Sequence, residues 1–175
     1  ELDSDKDGVV DSKDKCPNSP EGAKVNEEGC ELDSDKDGVL DAKDVCPDTK
    51  AGAKVDATGC NVAAPIKLEG VNFHSGSDKL TDDSLSILNG VAASLAEHHD
   101  LRLEVAGHTD SSGNDALNLD LSQRRAEAVR SYLISNGVSA DILTAQGYGE
   151  VNPIADNSTG AGRAINRRVE LGRLN

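Results

Sequence analysis

The 175-residue chain has no methionine, no tryptophan and almost no aromatic side chains: Phe73, Tyr132 and Tyr148 are the whole set. It therefore offers no row of aromatic faces on which nucleobases or sugar rings could stack. No apolar run approaches the roughly 18 residues that a membrane-spanning helix needs, and no signal peptide is legible. Basic charge is scarce too. Lysine and arginine total 18 against 32 aspartates and glutamates, a formal net charge of −14, which repels nucleic acid and anionic membrane surfaces. Lacking methionine and opening on Glu1, the chain reads as a piece excised or processed from something longer.

What is present is unevenly spread. Residues 1–60 hold 17 acids and 8 bases, a net of −9, while the other 115 hold 15 and 10, a net of −5. All four cysteines fall in that first third. The expected organisation is a repeat segment over 1–60 (units 1–30 and 31–60), a linker over 61–66 around "NVAAPI", and a cysteine-free globular domain over 67–175.

The repeat is direct. "ELDSDKDGVVDSKDKCPNSPEGAKVNEEGC" is followed at once by "ELDSDKDGVLDAKDVCPDTKAGAKVDATGC", with 20 of 30 positions identical. A duplicated unit this poor in apolar residues needs something other than a hydrophobic core. Calcium is the natural candidate. Asp3, Asp5 and Asp7 alternate, followed by Gly8, Val9 (through its carbonyl), Asp11 and Asp14, the spacing of an oxygen-ligand calcium loop. Asp33, Asp35, Asp37, Val39, Asp41 and Asp44 repeat it. Flanking amphipathic helices are missing and the last position is Asp rather than Glu, so neither loop is an EF-hand proper. Four cysteines allow three pairings, and the shared register of Cys16/Cys30 and Cys46/Cys60 favours one bridge within each unit. Each would close a loop of about 15 residues, stabilising by roughly 3 kcal/mol in the chain-entropy model. Disulfides imply an oxidising compartment. "DSDKDGVVDSKDKCP" and "DSDKDGVLDAKDVCPDT…GC" resemble thrombospondin type 3 repeats, and the resemblance implies a stiff, calcium-dependent spacer.

The remainder alternates between strand and helix patterns. Strands are expected at Ile66–Phe73, Leu101–Gly107, in "LTAQGYG" and in "NRRVELGRL". A helix capped by Thr81 should bury Leu85, Leu88, Val91 and Leu95, with His98 and His99 decorating its end. A second, "LSQRRAEAVRSYLISNG", should bury Ala126, Val129 and Leu133 and end at Asn136–Gly137. The order β-α-β-α-β-β predicts an α+β sandwich with helices on one face of a mixed sheet. Signatures of catalysis are missing: there is no G-x-S-x-G, P-loop or H-E-x-x-H. No serine is fixed beside His108 and Asp110, so a non-enzyme is expected. Asp110 past one strand and Arg125 inside the next helix could form a mutual salt bridge, or could complement a zwitterion at the sheet edge.

"VNFHSGSDKL", "GHTDSSG", "NLDLSQRRAEAV", "GYGEVNPIADN" and "GRAINRRVE" resemble, in order and spacing, the C-terminal domain of OmpA-like proteins, a family that includes peptidoglycan-associated lipoproteins and flagellar stator proteins of the MotB type. The resemblance implies non-catalytic binding of the peptidoglycan stem peptide through the ammonium and carboxylate of its meso-diaminopimelate. It singles out Asp110 and Arg125 as the pair, with Arg124 a variable neighbour, and adds Thr109, Ser112, Asn118, Leu121 and Arg167. The "FHSGS" loop departs from the family's acidic version, so only Gly76 is carried over, through its backbone. Arg163 and Asn166 are expected to be structural. The implied setting is the periplasmic face of a Gram-negative outer membrane, tethered to the wall, with an upstream membrane barrel or lipid anchor and Ca²⁺ in the spacer. A stator anchor and a calcium-dependent adhesion module are the alternatives, and homodimerisation is left open.

Overall fold

The computed structural model describes residues 2–62 and 65–174; Ala63 and Ala64 of the expected linker lie outside the described residues. The chain divides into two compact units, Glu1–Cys60 and Asn61–Asn175.

No helix or strand runs through the described residues of the first unit. Carboxylate-capped turns and disulfides hold it instead. Cys16 is bridged to Cys30 and Cys46 to Cys60, both with Cα atoms 5.1 Å apart. The two repeats share their hydrogen bonds as well as their sequence. The Asp11 N–H donates to the Leu2 carbonyl at 2.9 Å, and Asp41 to Leu32 at 2.8 Å. Lys6 and Lys36 both sit at φ 63°, a left-handed conformation costly for a side-chain-bearing residue. Their N–H groups donate to Asp3 and Asp33, contacts that offset the strain.

The second unit contains β1 (Ile66–Lys67), α1 (Asp82–Leu95), β2 (Leu103–His108), α2 (Asp115–Ser135), β3 (Leu143–Gly149), α3 (Gly160–Asn166) and β4 (Arg168–Arg173). A turn of 3-10 helix, Ala140–Ile142, leads into β3. The strands form one sheet in the order β1-β4-β2-β3. Strands β1 and β2 run antiparallel to β4, and β2 runs parallel to β3, so the sheet is mixed, as the alternation predicts. Helix α2 lies across β2 and β3, with α1 against α2. Leu88, Leu95, Val105, Val129, Leu133, Val169 and Leu171 fill the core at 1% exposure or less.

Four elements differ from the sequence pattern. Strand β1 stops at Lys67 rather than Phe73, because Gly70 turns the chain at φ 76°; Phe73 returns only as an isolated bridge to Leu80. Helix α1 ends at Leu95, so His98 lies beyond it and is buried at 7% exposure rather than decorating the helix. Helix α2 begins at Asp115, capped by the Asn114 side chain, rather than at Leu121. The short α3 was not expected; the Thr159 hydroxyl accepts from Gly162 N–H at 2.9 Å and caps it.

Two glycines set how closely α2 meets the sheet. A Cβ on Gly107 would lie 2.3 Å from the Ser122 carbonyl oxygen, and one on Gly147 would lie 2.3 Å from the Gln123 nitrogen. Only glycine admits the helix backbone there. The approach is then locked: Gln123 Oε1 accepts from Gly147 N–H at 2.7 Å and Ser122 Oγ from Gly149 N–H at 2.8 Å. Arg125 is carried to the sheet's end by this packing.

Candidate functional site

At that end the parallel ladder slips. Gly107 pairs with Gly147 but His108 with Gly149, leaving Tyr148 as an extra residue in a bulge, a device that re-aims side chains. Thr109 N–H donates to the Gly149 carbonyl at 2.9 Å, and Asp110 follows at only 7% exposure. Beside it lies a cleft of about 400 Å³ whose lining includes Phe73, Ser75 and Gly76 of one loop, Arg125 of α2, and Arg167.

Asp110 and Arg125 do not pair with each other. The Asp110 carboxylate accepts from Arg167 Nη1 at 2.5 Å and from Ser112 N–H at 2.7 Å. Burial alone would raise its pKa, but the hydrogen bonds from Arg167 and Ser112 outweigh burial and hold it below the ordinary carboxylate value. Arg125 makes no salt bridge among the described residues. Its guanidinium lies 4.9 Å from the centroid of the Phe73 ring, a cation–π contact, and Nε donates to the Ser77 carbonyl at 2.9 Å. Burial, then the charges of Arg124 and Arg167, draw its pKa below the usual guanidinium value. A guanidinium nonetheless stays protonated. The neighbouring Arg124 is occupied, by Asp120 at 2.9 Å and Asp78 at 3.3 Å. The cleft therefore presents one half-buried cation with no carboxylate in salt-bridge contact among the described residues, although the charges of Asp78 and Asp110 act on it from farther off.

The other expected site residues divide. Gly76 and Arg167 line the cleft. Thr109 is buried, and its hydroxyl has no hydrogen-bond partner. Asp110, Thr109, Ser112, Asn118 and Leu121 are not on the lining; Asp110 adjoins it through its ion pair with Arg167. Ser112 holds Asp110, and Asn118 Nδ2 braces the turn by donating to Ser112 O at 3.0 Å and Glu150 Oε2 at 2.7 Å. Asn166 is structural as expected: its Oδ1 accepts from Ile154 and Ala155 N–H groups. Arg163 donates to the Asn157 carbonyl. His74 is exposed and off the lining.

Sequence reasoning missed His108 and Arg168, which also line the cleft. His108 stacks on Tyr148 with centroids 5.4 Å apart, is 5% exposed, and has neither ring nitrogen hydrogen-bonded. Burial, then the Arg168 charge, lowers its pKa and keeps the ring neutral, although Glu170 pulls the other way. Arg168 is paired to Glu170 at 2.5 Å. Nothing local in the sequence marks these roles; they arise from β2 and β4 lying side by side.

The aspartate loops of the first unit fit a divalent cation. Carboxylate oxygens of Asp3, Asp5 and Asp7 lie within 4.8 Å of one another, as do those of Asp33, Asp35 and Asp37. Asp7 Oδ2 and Asp37 Oδ2 are buried without a hydrogen-bond partner. Asp14 and Asp44 come to the same places: a Cβ on Gly29 would meet Asp14 Oδ1 at 2.1 Å and Asp7 Oδ2 at 3.0 Å, and Gly59 repeats this with Asp44 and Asp37. Burial pushes the Asp44 pKa up to about 6, opposed by the Cys46 N–H and reinforced by the charges of Asp37, Asp35 and Asp41. A bound cation relieves such crowding. Asp11 and Asp41 stand apart, their carboxylates engaged by the N–H and hydroxyl of Ser4 and Ser34. Val9 and Val39 are tied in through N–H bonds to Asp7 and Asp37.

Residues 72–167 match the model of the OmpA family, and residues 1–24 and 28–53 match the thrombospondin type 3 repeat. Outer membrane porin F of Pseudomonas aeruginosa is 46% identical over 170 residues, covering 96% of this chain and 40% of the porin. The chain thus spans less than half the length of that relative. The peptidoglycan-binding protein ArfA of Mycobacterium tuberculosis is 42% identical over 101 residues, 58% of this chain and 31% of that protein. Among solved structures, the peptidoglycan-associated lipoprotein of Burkholderia pseudomallei superposes with a TM-score of 0.55 at 34% identity, covering 59% of this chain and 88% of that one.

Proposed function

The chain belongs to the OmpA family, and from that premise we propose that its second unit binds peptidoglycan by the charged tip of a diaminopimelate stem peptide. Arg125 takes the tip's carboxylate and Asp110 its ammonium. The observation that carries this reading is the half-buried Arg125, which lines the cleft without a carboxylate partner while Phe73 and the Ser77 carbonyl hold it in place. Asp110 is suited to its role because Oδ2 already accepts from a cationic N–H donor, that of Arg167. Binding of this kind needs no covalent step: the side chains orient two charges and exclude water from them.

The names of the relatives support the setting. One is a peptidoglycan-binding protein, one an outer membrane porin and one a peptidoglycan-associated lipoprotein. The porin is similar along nearly the whole chain, repeats included, which favours a tether between outer membrane and wall on the periplasmic side over a stator anchor. The first unit then acts as a spacer. Asp3, Asp5, Asp7 and Asp14, and likewise Asp33, Asp35, Asp37 and Asp44, would hold Ca²⁺, which supplies the positive charge that keeps these carboxylates together.

Asp110→Ala and Arg125→Ala test the reading. Each charge-assisted hydrogen bond is worth roughly 1.5–3 kcal/mol, so either change should weaken binding to diaminopimelate-type sacculi by about ten- to a hundredfold with the circular dichroism unchanged. Undiminished binding in both variants sinks the site assignment.

A further inference from the structure

A long side chain binds most tightly when it is already aimed at its ligand. Arg125 is aimed by the loop between Phe73 and Leu80, which pair with each other as an isolated bridge. The Phe73 ring lies 4.9 Å from the guanidinium, and the Ser77 carbonyl accepts from Nε at 2.9 Å. With Nε engaged, the two Nη groups are left to face a carboxylate bidentately. The direction of Arg125 therefore depends on where this loop sits against α2. The base of the loop is tied to α1: Thr81 N–H donates to the Asn72 carbonyl at 3.2 Å, and Asn72 N–H to Ser84 Oγ at 2.7 Å. Its tip reaches α2 through a second link. Asp78 Oδ1 lies 3.3 Å from Arg124 Nη1, while Asp120, one turn earlier in the helix, accepts from Arg124 Nε at 2.9 Å. Asp120 steadies Arg124 as an i,i+4 partner, and Arg124 in turn holds the residue next to Ser77.

Resting on the assignment of Asp110 and Arg125 above, we propose that Asp78 and Arg124 form a latch that fastens the loop tip to α2 and so positions Arg125 for the ligand's carboxylate. Both are positioning residues: neither lines the cleft. Because Asp78 adjoins Ser77, releasing the latch frees the Ser77 carbonyl to leave Nε, and the guanidinium loses the acceptor that orients it. The direction of the effect separates this from simple electrostatics. Burial, then the charges of Arg124 and Arg167, draw the Arg125 pKa down, and the Asp78 charge opposes them. Through space alone, removing the Asp78 carboxylate would leave Arg125 a stronger attractor of a ligand carboxylate and would tighten binding. Opening the latch weakens it. The pair is partly exposed, at 43% and 44%, which limits its strength, although membership of a three-residue network puts it at the upper end for surface pairs.

The test titrates the full chain calorimetrically with two soluble tripeptide stems, one carrying diaminopimelate and one carrying lysine, which lacks the tip carboxylate. Asp78→Ala should weaken binding of the diaminopimelate stem by about three- to fivefold. Binding of the lysine stem should change by less than about twofold, the scatter expected of uncoupled changes. Asp78→Glu keeps the charge and the reach, and should restore the diaminopimelate stem to within about twofold of the wild type. Asp78→Ala combined with Arg124→Gln should bind that stem as Arg124→Gln alone does, because the two changes cut one contact. Unchanged or tighter binding of the diaminopimelate stem by Asp78→Ala, or an equal loss for both stems, would overturn the proposal. Equal binding of the diaminopimelate stem by wild type and Arg125→Ala would instead overturn the underlying assignment, and this inference with it.

Discussion

Two alanine substitutions, Gly147→Ala and Gly90→Ala, should change stability in opposite directions. At Gly147 the new methyl group would sit 2.3 Å from Gln123 N and 2.6 Å from its Cα. Restoring ordinary contact at 3.4 Å means moving α2 off β3 by about 1.1 Å, or buckling the strand. The obstacle is backbone, not a flexible side-chain end. Overpacking of this kind costs roughly 1–3 kcal/mol. The shift also strains the bonds from Gly147 and Gly149 to the α2 side chains, at about 1 kcal/mol for one bond lost. The sum is about 2–4 kcal/mol. For a unit of this size, at roughly 4 °C per kcal/mol, the melting temperature should fall by about 8–16 °C. Gly90 lies exposed inside α1 with nothing within 4 Å of its Cβ position. Alanine there should stabilise by about 0.4–1 kcal/mol, or about 2–4 °C. Circular dichroism at 222 nm reads the right transition, since every helix of the described residues belongs to the second unit. The reasoning fails if Gly147→Ala melts within a degree or two of Gly90→Ala.

Two further outcomes concern charge. Calorimetry should detect calcium uptake at about millimolar concentration, in the range of extracellular modules, and EGTA should expose residues 1–60 to proteolysis while wall binding persists; no uptake would remove calcium from the account. The Asp110 carboxyl should titrate below the ordinary carboxylate range by NMR and move upward in Arg167→Gln, which removes the largest lowering influence and leaves burial in place. Because its folded pKa is depressed, its stabilising contribution is present above the unfolded value of about 3.9 and lost as pH falls through the folded one. An Asp110 titration at or above 3.9 in the wild type would contradict the geometry of the Arg167 contact.

The sequence makes some features plain and hides others, for identifiable reasons. The bridges and loops of the first unit are legible because two copies in register state the same thing twice. Strand β3 coincides with the expected "LTAQGYG", and the end of α2 is legible because Ala126, Val129 and Leu133 bury at helical spacing. The beginning of α2 is not, because its inward face starts with Asn118 and Ser122 while Leu117 and Leu119 point outward at 69% and 51% exposure; the apolar stripe appears only after the third turn. Asn114 followed by Asp115 is nonetheless a cap signal, and could have marked the start. The partner of Asp110 is hidden differently. Arg167 lies 57 residues along the chain, and only the antiparallel pairing of β2 with β4 brings the two together. The same pairing places Arg168 and His108 at the cleft. Asp11 and Asp41 match the loop spacing, yet Ser4 and Ser34 engage their carboxylates, a contact that spacing alone does not specify.

The most direct measurement compares two tripeptide stems that differ at one group: diaminopimelate, and lysine, which lacks the tip carboxylate. Calorimetric titration of the wild type should show the diaminopimelate stem binding about tenfold or more tightly, a preference that disappears in Arg125→Ala. Equal affinity of the wild type for both stems, or a preference that survives without Arg125, would contradict the assignment of the unpaired guanidinium to the ligand's carboxylate.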